Sequence, residues 1–166
     1  MALTLIIETG LASTTSQSYA SADDLRAYAK LRKATVPTAD VDCEALLMKA
    51  MDYLEDQDFV GERLTQHQAL KWPRAWARVE QWSVETDEIP RQLIYAQCAL
   101  AIEAQTVDLL PTQDINASGQ ITQETVGPVT TVYANTGIVR RVPALAKAEA
   151  LLRTHVKRNG LKLVRT

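Results

Sequence analysis

Aromatic side chains are scarce in this chain: one Phe, five Tyr and three Trp in 166 residues. Glycine and proline number six each, too few for a low-complexity or disordered composition. The two cysteines, Cys43 and Cys98, are too few for a disulfide framework, and both fall on predicted helix faces. They read as buried free thiols in a reducing compartment. No apolar run approaches the length that spans a bilayer, so no membrane partner is expected. The first residues, Leu3-Thr4-Leu5-Ile6-Ile7-Glu8, lack the basic start and the length of a signal peptide. There are two histidines, His67 and His155, far apart in sequence, and neither cysteine has a near partner. Metal sites need such ligands clustered at short spacing, so no metal and no cofactor is expected. There are no internal repeats.

What is present is ordinary globular material, 46% hydrophobic and 23% charged. Its length fits one domain over 1–166 with a real core. The net charge of −2 hides an asymmetry. Residues 140–166 hold eight Lys/Arg against one acid, Glu149, and carry +7, whereas residues 1–139 carry −9. A basic end on an acidic body reads either as a tail that meets an acidic partner or a phosphate backbone, or as a solvated helix face.

Hydrophobic spacing predicts mainly helix. Ser21 with Asp24 three residues on is an N-cap signal, opening a helix to about Lys33 with Leu25, Tyr28 and Ala29 inward. Asp40 or Asp42 starts a second helix. Its Cys43, Leu46, Leu47, Ala50, Met51 and Leu54 form one unbroken stripe. Thr65 caps a short helical turn through Leu70 that Pro73 stops, and 74–88 reads as a mixed loop. Pro90 opens a third helix to about Leu110, with Leu93, Ala96, Leu100, Ala104 and Val107 on one face. Its alanines imply close helix contacts and a central place. Val126, Val129, Val132 and Tyr133, around Gly127-Pro128, read as a hairpin or extended arm over 112–135. The last helix covers 143–158, and 159–166 is an extended tail. The predicted fold is therefore mainly α: a small bundle of about four helices with a helical body over 1–110, a β arm and a C-terminal tail.

One segment is a corner without catalytic chemistry. Gly61, Arg63, Trp72, Pro73 and Arg74 combine a turn glycine, a core-type tryptophan and a helix-stopping proline with arginines on both sides. Nothing local resembles a nucleophile elbow or a Gly-rich phosphate loop, and no catalytic residue is assigned. Glu103 and Asp108 do not share a helix face. Glu85, Asp87 and Glu88 read as charge before a helix N-terminus. The tryptophans Trp72, Trp76 and Trp82, interleaved with Lys71, Arg74 and Arg78, admit two readings. One is a stacking platform for single-stranded nucleic acid. The other, favoured at this level because acids follow so closely, makes Trp72 core and Trp76 and Trp82 subunit-interface residues.

Several stretches together resemble a known family. They are Glu8-Thr9-Gly10, Ser18-Tyr19-Ala20-Ser21, Ala50 with Tyr53-Leu54, Gly61 with Arg63, and Gln68-Ala69-Leu70 with Trp72-Pro73-Arg74. Ile89-Pro90, Glu124 with Val126-Gly127-Pro128, and Val132-Tyr133 continue the series. In this order they resemble the head–tail connector adaptors of tailed bacteriophages, some of which are labelled DnaT-like single-stranded-DNA-binding proteins. The resemblance implies a virion structural protein at the head–tail interface, present in the host cytoplasm during assembly. It implies a dodecameric homo-oligomeric ring beneath the portal protein. A tail-completion or tail-terminator protein would meet its other face, and genomic DNA would pass through without specific binding. On that expectation the portal-contact candidates are Arg153, Lys157, Arg158, Leu161, Lys162, Leu163, Val164 and Arg165. The subunit-interface candidates are Trp76, Trp82, Val126, Val129, Val132 and Tyr133. The second expectation is a single-stranded-DNA-binding module, in which Trp76 and Trp82 contact the strand.

Overall fold

Ser21 caps the first helix with a reciprocal pair of hydrogen bonds. Its hydroxyl accepts from the Asp24 N–H at 3.1 Å, and the Asp24 carboxylate accepts from the Ser21 N–H at 2.9 Å. The structure, a computed structural model, describes residues 4–110, 123–126, 129–132 and 145–157. Four helices lie among them: α1 (Ala22–Leu31), α2 (Asp40–Asp56), α3 (Arg91–Glu103) and α4 (Ala146–Leu152). Three two-stranded antiparallel ladders join them. β1 (Glu62–Arg63) pairs with β2 (Arg74–Ala75), β3 (Arg78–Val79) with β4 (Trp82–Ser83), and β5 (Gln123–Val126) with β6 (Val129–Val132).

α3 is the central element, packed against α1, α2 and α4. Leu93, Ala96, Cys98, Ala99, Leu100 and Ala101 are all buried along it, so small side chains let three neighbours approach one axis. The α2 stripe buries Cys43, Leu46, Leu47, Ala50, Met51 and Leu54, each position that the spacing had indicated. Arg26 on α1 fixes the α1–α2 connection, donating to Asp40 at 2.6 Å and to the Thr38 carbonyl at 2.8 Å.

A buried polar hub ties the N-terminal segment to this core. The Gln97 side chain, fully buried on α3, accepts from the N–H groups of Tyr19 and Ala20, both at 3.0 Å. It donates to the Ser18 hydroxyl at 2.7 Å and to the Leu47 carbonyl at 3.2 Å. Every hydrogen-bonding site of the amide is thereby used inside the core. Upstream, the buried Glu8 carboxylate gathers the loop around it, accepting from the N–H groups of Gly10 and Ser13 and from the Ser16 hydroxyl. Gly10 has φ 101, and a Cβ there would lie 1.8 Å from the Asp87 carbonyl oxygen. Glycine is required because this loop runs directly against the backbone that leads into α3.

The expectation of a mainly α bundle is corrected: the chain is a small mixed α/β fold. The error lies mostly between residues 57 and 90, predicted as a helical turn and a loop. No helix forms there, and two β ladders do. Pro73, together with Gly61, Trp76 and Glu80 at positive φ, prevents continuous helix across the segment. The third helix also stops at Glu103 rather than near Leu110, and the last ends at Leu152 rather than 158, while its expected start at 143 lies outside the described residues. β5 and β6 fall inside the expected arm, with Val126 opposite Val129 and Val132 opposite Gln123.

Candidate nucleic-acid interface

The corner around Trp72 is a scaffold. Trp72 is fully buried, edge-on to Phe59 with ring centroids 6.2 Å apart and to His155 at 6.1 Å. Its peptide bond to Pro73 is cis. Arg74 is buried, and its guanidinium donates to the carbonyls of Val60 (2.6 Å), Gly61 (2.7 Å) and Lys71 (3.1 Å). Desolvation, with Arg63 beside it, holds its pKa below the usual arginine value. Gln68 staples the same turn, donating to the carbonyls of Leu70 and Pro73 and accepting from the Thr65 N–H. Gly61, at φ 76, has no room for a Cβ, which would lie 2.5 Å from the Ala75 carbonyl oxygen. Arg63 is exposed and pairs in register with Arg74. Gly61, Arg63, Trp72, Pro73 and Arg74 are thus brought together as a corner.

The corner presents two tryptophans to solvent. Trp76 follows β2 at φ 57 and is 82% exposed, and Trp82, the first residue of β4, is 78% exposed. A positive φ at a bulky non-glycine residue is sterically costly. The pairing of Arg78 with Ser83 and Val79 with Trp82, and the Val84 N–H bond to the Ala77 carbonyl, hold the segment in this shape. Two large, rigid, apolar rings therefore face water with no core role.

The cations nearest in sequence are largely committed elsewhere. Arg74 serves the corner, and the Lys71 ammonium donates to the Gln57 carbonyl at 2.7 Å. Arg78 is exposed and donates to the Gln81 carbonyl, while Glu80, Glu85, Asp87 and Glu88, close to it in sequence, are also exposed. A second cationic and aromatic group lies where α1 meets α3. Arg32 stacks over the Tyr28 ring at 3.6 Å and stands 5.4 Å from that of Tyr95, and Arg91 lies over Tyr95 at 4.7 Å. The two tyrosine rings are 5.2 Å apart. Sequence reasoning missed this ladder. Its signal was the twin spacing Tyr28-x-x-x-Arg32 and Arg91-x-x-x-Tyr95, which sets ring and guanidinium one helical turn apart.

Among the described residues, no group of His, Cys, Asp or Glu could hold a metal ion. His67 is exposed on its turn, whereas His155 is buried against Trp72. Both cysteines are buried free thiols, and desolvation pushes the Cys98 thiol up to about 12. No described helix is long and apolar enough to cross a membrane. Arg153 and Lys157 are exposed at and beyond the end of α4. Arg158, Leu161, Lys162, Leu163, Val164, Arg165 and Tyr133 lie outside the described residues.

A family model described as "Putative DnaT-like ssDNA binding protein" matches residues 3–166. The chain belongs to this DnaT-like family. No curated protein and no solved structure matches it. The match corrects the primary functional expectation, that of a head–tail connector adaptor. The DnaT-like description names single-stranded DNA, in agreement with the second expectation. The exposure of Trp76 and Trp82 is what both readings of them require, a contact between subunits and a stacking platform. Stacking on a base uses the exposed ring face, while the phosphates of a strand need positive charge, which the acidic neighbours of the hairpin do not supply.

Proposed function

We propose that this protein binds single-stranded DNA, with bases stacking on Trp76 and Trp82. The observation that carries the reading is the exposure of these two rings, 82% and 78%, on a hairpin braced by the buried Trp72 corner. Base–aromatic stacking contributes about 1–3 kcal/mol per base and tolerates any sequence. The DnaT-like family description supports the same ligand. The reading assigns no catalytic step, cofactor or metal: the strand is held, not altered.

The test is a fluorescence titration with an oligothymidylate at several salt concentrations. Binding should quench the exposed tryptophans, and Trp76→Ala with Trp82→Ala should remove both the quenching and most of the affinity. Trp72 remains in that variant as an internal reference for the fold. Unchanged affinity in the double variant would remove the hairpin from the strand's path. Concentration-dependent self-association lost in the same variant, without DNA binding, would instead assign the rings to a contact between copies.

A further inference from the structure

The tryptophan hairpin supplies rings, but its acids oppose a polyanion, so a strand seated there needs its phosphates held elsewhere. The body of the chain makes such a place unusual, since residues 1–139 carry −9. The stack formed by Arg32, Tyr28, Tyr95 and Arg91 meets the requirement. Among the described residues the ion pairs are those of Arg26, with Asp23 and Asp40. Arg32 and Arg91 are exposed and make no ion pair there.

Their hydrogen bonds fix them without satisfying them. Arg32 donates to the Tyr28 carbonyl at 3.4 Å, and Arg91 donates through Nε and one terminal nitrogen to the Tyr95 hydroxyl. N–H donors remain on Nη1 of Arg91 and on Nε and Nη2 of Arg32, and a guanidinium can offer such donors to phosphate oxygens. Stacking also holds the long side chains in place, reducing the entropy lost on binding. The floor of the ladder is rigid, because Tyr28 is buried beside the core and Tyr95 stands on the central helix. A shallow depression next to it brings exposed Lys147 of α4 onto the same face as Arg32, with Glu103 the acid in its lining.

We propose that this arginine–tyrosine ladder is the phosphate-backbone contact of the protein, seating consecutive phosphodiesters of single-stranded DNA on Arg32 and Arg91. The proposal rests on the DNA-binding reading and adds a second surface to it. The hairpin contributes stacking that salt hardly touches, and the ladder contributes the charge that salt screens.

The two surfaces separate in a salt titration of oligothymidylate affinity. Each phosphate contact on a single strand adds about 0.7 to the slope of log K against log salt. The double variant Arg32→Gln, Arg91→Gln should therefore show a slope shallower than the parent's by about 1.4. Arg32→Lys with Arg91→Lys keeps the charge and should keep the slope. Trp76→Ala should weaken binding at every salt concentration with the slope unchanged. If the glutamine double variant loses its helical circular dichroism, Arg91→Gln alone decides, with an expected change of about 0.7. Parent protein that binds, with an unchanged slope in the folded glutamine variant, overturns the ladder and leaves the DNA-binding reading standing. Parent protein that binds no oligonucleotide at low salt overturns both.

Discussion

Tyr19 and Trp72, 53 positions apart, are joined directly: the Trp72 backbone N–H donates to the Tyr19 hydroxyl at 3.0 Å. The same hydroxyl faces the Glu55 carboxylate at 3.5 Å, and that carboxylate oxygen accepts from the Lys71 N–H at 3.0 Å. One phenol thus links the segment before α1, the end of α2 and the corner that carries the tryptophan hairpin.

Tyr19→Phe leaves the Trp72 N–H buried without its acceptor and should cost about 1–3 kcal/mol in urea unfolding. It should also change the alkaline limb of stability. Burial, then the Glu55 charge, push the Tyr19 phenol well above its ordinary 10.0. The folded state keeps the proton that the unfolded chain releases, so stability falls as pH rises past 10.0. The phenylalanine variant should lose less stability over that interval.

Gln97→Leu is close in volume but removes the acceptor of two buried N–H groups, those of Tyr19 and Ala20. The expected cost is roughly 2–6 kcal/mol, one desolvation penalty for each orphaned donor. Hydrogen exchange should report the loss locally, with the amides of Tyr19 and Ala20 exchanging faster than those of the α2 core. Equal protection in variant and parent would show that the hub does not anchor the segment.

His155 ties stability to pH at the acid end. Burial beside Trp72 holds its pKa below the ordinary 6.5. The unfolded chain binds a proton below 6.5 that the folded state refuses, so the contribution is complete above 6.5 and shrinks as pH falls. His155→Gln should flatten the dependence of the unfolding midpoint between about pH 7 and 5. A parallel decline in both proteins would place the acid sensitivity on carboxylates instead.

Two tryptophans should respond oppositely to truncation. Trp72→Ala empties a fully buried site and should cost about 3–5 kcal/mol. Trp82→Ala, at 78% exposure, should stay within about 0.5 kcal/mol of the parent. Thermal or urea unfolding of both variants measures the difference, and comparable losses would mean that the hairpin is packed rather than presented.

The readable parts of the fold were those in which one side chain per turn carries the information. Cys43 through Leu54 repeats at helical spacing, and the Ser21–Asp24 cap is a local pair, so both were legible. The ladders between 57 and 90 were not, because each strand is two residues long and no alternation can develop over that length. Buried polar groups were illegible for a different reason. Gln97 is buried along α3, and nothing in its own neighbourhood signals this, since its four partners come from segments far away in sequence. At the interface the tryptophans were visible by type, whereas their exposure depended on the positive φ at Trp76 and on the corner beneath. The ladder needed the packing of α1 on α3 before its two spaced pairs became one surface.

α4 ends by clasping the middle of the chain. Phe59 and Val156 form an antiparallel bridge, the Val60 N–H donates to the His155 carbonyl, and the Lys157 N–H donates to the Asp58 carbonyl. His155 then closes one side of the Trp72 site. During synthesis, residues up to about 150 must leave the ribosome with that indole still uncovered on the histidine side. The clasp closes a loop of nearly a hundred residues, which carries an entropic cost that the packing around Trp72 offsets. A chain cut between α3 and α4 would therefore leave its largest core side chain uncovered on the histidine side.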